Sequence, residues 1–176
     1  MLHVTSKNWF PGTKRLMFSA LLVLIMSSMV LEGFAVTGQG SVQLTLHGYG
    51  NLPGQLLNVS IQPDGSVSMT MSVNSKLQTS YGAFAVTATG VWSGILKSSS
   101  FVGTIQNVNG QVQICVLSCS NANFVGKGNW TGSMMNSAAN GTLSGTITFT
   151  NSPYPQQLPL NQPIPITGTW NANIPQ

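Results

Sequence analysis

The sequence predicts an all-β fold, a single antiparallel β-sandwich or barrel of about 8–9 strands behind an N-terminal hydrophobic signal helix. Three observations lead there. Apolar residues alternate with Ser, Thr, Asn and Gln from residue 41 onward, the period of a strand with one buried face. No window of 11 residues outside the N-terminal segment carries the three-four spacing of an amphipathic helix. The 42% hydrophobic content, with ten aromatics after residue 35, supplies a core for the 141 residues that follow, a length that suits one domain and needs no metal or disulfide framework.

Residues 1–35 read as a secretory signal peptide. Lys7, Lys14 and Arg15 precede an uncharged run from Leu16 to Leu31, and Glu32-Gly33-Phe34-Ala35 offers small residues at the cleavage positions. Left uncleaved, residues 16–31 form an anchor and the chain's one contact with a membrane; they fall short of the ~20 residues that span a bilayer without tilt or thinning. In either case the single all-β domain of residues 36–176 is exported, which places the protein outside the cell or on its surface. Three glycosylation acceptors agree with export: Asn58, Asn129 and Asn140, each in an N-x-S/T triplet.

The elements follow in order. Val42, Leu44 and Leu46 mark the first strand, which extends to Tyr49 and has the pattern of one that a neighbouring subunit can accept by strand donation. Leu57, Val59 and Ile61 should pair with Val67, Met69, Met71 and Val73 across Gln62-Pro63-Asp64-Gly65, a turn whose proline presets φ and whose glycine accepts positive φ. Further strands are expected at residues 80–88, 91–96, 100–106, 111–117, 122–131, 142–150 and 164–172. Between 151 and 165 five prolines forbid a central strand and predict an extended crossing loop, held against the body by Tyr154, Leu158, Leu160 and Ile164.

A weak repeat runs through the domain. Gly90-Val91-Trp92-Ser93-Gly94 recurs as Gly128-Asn129-Trp130-Thr131-Gly132 and in part as Gly168-Thr169-Trp170. Glycine two residues before an indole lies on the same strand face and leaves room for a neighbouring ring. The same pattern fits tryptophans packed inside a sandwich or barrel, exposed tryptophans that stack on sugar rings, or a repeat array. The string Ile166-Thr167-Gly168-Thr169-Trp170 resembles the opening strand of the avidin family, and its G-x-W is similar to that of lipocalins. The resemblance spans five residues near the C-terminal end of the chain, so it implies a barrel-compatible strand and carries over no biotin-binding residue.

Charge excludes most chemistry. Only 5% of residues are charged, six Lys plus Arg against two Asp plus Glu, where soluble domains average about 25%. Half lie in the leader, and Lys76, Lys97 and Lys127 are too dispersed to bind nucleic acid despite a pI near 9.4. Asp64 is the one side-chain carboxylate after residue 35, which removes the paired carboxylates of glycoside hydrolysis. His47, on the polar face of the first strand, has no G-x-S-x-G elbow to serve, so no catalytic residue and no enzymatic activity are expected. No metal or other cofactor is expected either, since Cys115 and Cys119 are not in C-x-x-C spacing and His47 is the only histidine of the domain. The two cysteines are a candidate disulfide. In one strand their Cα atoms would be about 13 Å apart, beyond the ~7 Å limit, so pairing requires a turn across Val116-Leu117-Ser118.

The expected function is a non-catalytic secreted or cell-surface β-protein with a structural, adhesive or assembly role, because a polar surface with almost no charge lacks one common defence against association. Its partners would be further copies, a cell-surface component or a glycan. The alternative is an extracellular module for a carbohydrate or small apolar ligand, with Trp92, Trp130, Trp170, Tyr49 and Tyr81 as stacking platforms or pocket lining. Few groups titrate between about pH 2 and 9, so stability should be nearly flat over that range.

Overall fold

Alternation along each strand separates an apolar face from a polar one, and here the apolar faces close on themselves. The computed structural model describes residues 35–79, 82–115 and 118–175. The signal helix expected in the leader lies outside the described residues. The strands are β1 (Val36–Leu46), β2 (Gly50–Ile61), β3 (Ser66–Thr79), β4 (Gly82–Lys97), β5 (Ser100–Cys115), β6 (Cys119–Met135), β7 (Ala138–Phe149) and β8 (Pro163–Asn173). Each pairs antiparallel with the next, and β8 returns to β1 with Trp170 opposite Val42, giving a closed eight-stranded barrel rather than a sandwich. β1 is therefore hydrogen-bonded on both sides, by β2 and by β8, and the barrel offers no free edge.

Leu44, Leu56, Met71, Val86, Ile147 and their alternate neighbours fill the interior, while no polar or charged residue is buried among the described residues. The β2–β3 turn forms as its sequence requires: Gly65 sits at φ +83° and donates its N–H to the Gln62 carbonyl at 2.9 Å.

Two strands carry an extra residue. On β5, Phe101 and Ile105 point inward at odd positions, whereas Val108, Val112 and Ile114 do so at even ones. The phase flips at Asn107, whose φ is +52°, where the register against β4 and β6 shifts. β2 repeats this at Asn58, also at φ +52°, between the inward Leu56 and Val59. Both are β-bulges in which asparagine takes the left-handed conformation it tolerates better than most residues.

The strand boundaries need a correction. The two segments expected between 80 and 96 are one strand, β4 (Gly82–Lys97), whose alternation runs unbroken through Phe84, Val86, Ala88, Gly90 and Trp92, and the two expected between 100 and 117 belong to one strand, β5 (Ser100–Cys115), where the lapse in alternation marks a bulge and not a turn. The proline-rich segment needs a second correction, since β8 already begins at Pro163. Pro163 and Pro165 pair with β7, and on the other side the β1 ladder begins only at Ile166, where the Pro165 carbonyl still accepts the His47 N–H at 3.3 Å, so the prolines lie at the end of that ladder.

Candidate functional site

The strand order puts different chemistry at the two ends of the barrel. At the end bearing the β4–β5 and β6–β7 turns, Trp92, Trp130, Trp170 and Phe101 form a plug. Their ring centroids lie 5.9 Å apart for Trp92–Trp130, 5.5 Å for Trp130–Trp170 and 5.7 Å for Phe101–Trp170, tilted or edge-on. The indoles are 0%, 1% and 2% exposed in chain order, so none turns a ring face to solvent.

Glycine makes this packing possible, though by a different residue of the repeat from the one expected. Trp130 lies over Gly94 and its cross-strand partner Gly103, and Trp170 over the pair Gly132 and Gly141. The ring is thus received by the glycine two residues after the preceding tryptophan. A Cβ on Gly94 would sit 2.7 Å from Trp130 Cζ2, closer than packed carbon atoms approach. Gly90, which precedes Trp92, is covered instead by Val108 and Met71.

At the opposite end the segment 150–162 folds over the mouth. Leu158 is 2% exposed and packs into the core, Tyr154 lies half-buried against it, and Asn161 N–H bonds the Phe149 carbonyl at 3.0 Å. Tyr49, half-buried in the β1–β2 turn, donates its hydroxyl to the Gln157 carbonyl at 2.5 Å and ties the two segments together. Beneath them is an apolar cavity bounded by Leu44, Val73, Val86, Ala88, Phe149 and Leu158. Its volume is about 40 Å³. That is more room than one water needs, and the walls around it are apolar. A second hollow of about 30 Å³ lies nearer the plug, lined by Trp92, Ile105 and Gly128, and shares Leu44, Met71, Val108, Ile147 and Ile166 with the first.

The other predicted residues fall outside this interior. Cys115 and Cys119 stand opposite each other where β5 meets β6, with Cα atoms 4.1 Å apart and a disulfide between them, while the turn expected across Val116-Leu117-Ser118 falls partly outside the described residues. Asn58, Asn129 and Asn140 are exposed on the outer wall. Tyr81 lies outside the described residues. His47 is exposed, with Nε2 3.4 Å from the Thr167 hydroxyl. Asp64 is fully exposed in its turn, and hydrogen bonds from Ser66 hold its carboxyl below the usual carboxylate range. Among the described residues no three His, Cys, Asp or Glu side chains come together.

Tyr49 lines the hollow, whose other walls are not legible in the sequence because inward residues of a filled core and of a hollow one alternate alike. The one local signal was Leu158, an apolar residue in a proline-rich crossing. Comparison with protein-family models, curated proteins and solved structures returned no match.

Proposed function

We propose that this chain is an exported, non-catalytic barrel that takes a small, uncharged, apolar molecule into its interior. The observation that supports the reading is the apolar hollow beneath Leu158 and Tyr49, with a second that shares Leu44, Met71, Val108, Ile147 and Ile166 with it. Barrels of eight strands are wide enough to be filled by side chains or to hold one small ligand, and here Gly126, Gly128 and Gly145 along the wall keep part of that width open. An interior without a buried charge or polar residue rejects ions and favours hydrocarbon. Met71, flexible and polarisable, lines both hollows and can adapt to a guest.

Calorimetric titration with methylcyclohexane tests the reading. Binding is expected in the native protein and lost in Ala88→Leu, which fills the first hollow without adding a polar group. No binding of this or similarly sized hydrocarbons would refute it.

A second reading, association at a cell surface, is favoured by a different observation. Ile95 and Val102 form an exposed aliphatic pair directly opposite each other on the outer wall of β4 and β5, with Val91 exposed farther along β4. Without free strand edges, assembly would proceed through such side chains. Light scattering of the native protein and of Ile95→Lys with Val102→Lys tests it: the reading expects a concentration-dependent oligomer that the paired substitution disperses, and a monomer at all concentrations would end it.

A further inference from the structure

Resting on the interior-binding reading, we infer that the ligand carries one hydrogen-bond acceptor, such as a ketone or ether oxygen, which is received by the indole N–H of Trp92. The three tryptophans of the repeat are alike in sequence and differ in one respect. Trp130 Nε1 donates to the Ser93 carbonyl at 3.2 Å, and Trp170 Nε1 to the Thr131 carbonyl at 3.0 Å. Trp92 Nε1 is buried and has no hydrogen-bond partner.

The reason lies in the register. Each satisfied indole reaches across a pair of glycines, Gly103 and Gly94 for Trp130, Gly141 and Gly132 for Trp170, to a carbonyl beside the farther glycine. Opposite Trp92 stands Met69, and beyond Met69 the β2 ladder is broken by the bulge at Asn58, with the buried Val59 beside it. Side chains occupy the ground that glycine leaves bare in the other copies, and the equivalent carbonyl is out of reach.

A buried donor left unpaired is costly and calls for an explanation. Trp92 also lines the inner hollow, whose walls include the hydrocarbon side chains of Leu44, Met71, Ile105 and Val108, with Lys127, Ser144 and Thr146 at its outer border. A guest entering beneath Leu158 would meet mostly apolar contacts and, on reaching Trp92, a buried donor without a partner. That arrangement selects small, largely hydrocarbon molecules with a single acceptor, and disfavours charged ones and those with several polar groups.

The test compares cyclohexanone with methylcyclohexane, two probes of similar size that differ in one carbonyl. In the 15N-labelled native protein, cyclohexanone should move the Trp92 indole N–H resonance downfield and leave those of Trp130 and Trp170 nearly in place, whereas methylcyclohexane should not. In Trp92→Phe the ratio of cyclohexanone to methylcyclohexane affinity should fall roughly tenfold. If both probes bind but neither the resonance nor the ratio responds, the assignment to Trp92 is overturned while the cavity reading stands. If neither probe binds, both fall. Should Trp92→Phe not fold, the native resonance decides alone.

Discussion

The indole N–H of Trp170 donates to the backbone carbonyl of Thr131, 39 residues earlier in the chain and on a strand that is not its neighbour. Trp130 makes the same bond to Ser93. The repeated G-x-W strings are thus one structural device used twice, in which a ring laid across a glycine pair binds its strand to the one two places back.

If the device is what closes this end of the barrel, glycines under the rings cannot be enlarged. Gly94→Ala and Gly132→Ala should each cost about 1–3 kcal/mol, as overpacking does in well-filled cores. Gly48→Ala meets nothing within 4 Å and should cost only the strain of its positive φ. Denaturant melts of the three variants check this. Equal losses at all three sites would show that the rings do not depend on the glycine floor.

The bulges make a separate prediction. Asn107 holds a left-handed conformation that a β-branched residue resists, so Asn107→Val should destabilise by roughly 1–2 kcal/mol while Asn107→Gly is close to neutral. Chemical denaturation distinguishes the two, and a neutral Asn107→Val would mean that the phase change on β5 needs no special residue.

The Cys115–Cys119 bond joins two residues, four apart in sequence, that the β5–β6 ladder already sets opposite each other. Removing it with Cys115→Ser and Cys119→Ser should cost at most about 2 kcal/mol on the loop-entropy account, a fall of roughly 5–10 °C in Tm, with the barrel retained. Loss of the β-sheet circular dichroism signal would contradict a purely local role.

Titration should have little effect on stability. Asp64 has its carboxyl pKa lowered by Ser66, so any stability it adds is present above its unfolded value of 3.8 and is lost as pH falls through the lower folded value. The carboxylate is fully exposed, which keeps that contribution small. Both cysteines are in the disulfide and do not titrate. Tm should be nearly level from pH 9 to about 4 and decline only slightly below; a drop of tens of degrees between pH 7 and pH 3 would contradict it.

Much of this fold is legible in the sequence, because Val42, Leu44 and Leu46 or Val67 to Val73 can only be half-buried strands. Two things are not. A bulge shifts the phase of alternation without a turn residue of its own, so Asn107 divides one strand into two apparent ones. Closure depends on pairs such as Val42 with Trp170, 128 residues apart, and no local pattern distinguishes a barrel from a sandwich. The repeat pointed to the right tryptophans and glycines, but which glycine receives which ring depends on cross-strand register. The hollow beneath Leu158 was hidden for the same reason, since it is a shortfall of volume shared among residues from all eight strands.

The central claim is that the interior, not the surface, receives a guest. The most direct measurement is an intermolecular NOE experiment on the native protein with methylcyclohexane. The account predicts contacts from the ligand to the methyl groups of Leu44, Val73, Val86 and Leu158 inside the barrel. Contacts confined to the outer residues Val91, Ile95 and Val102, or none at all, would contradict it.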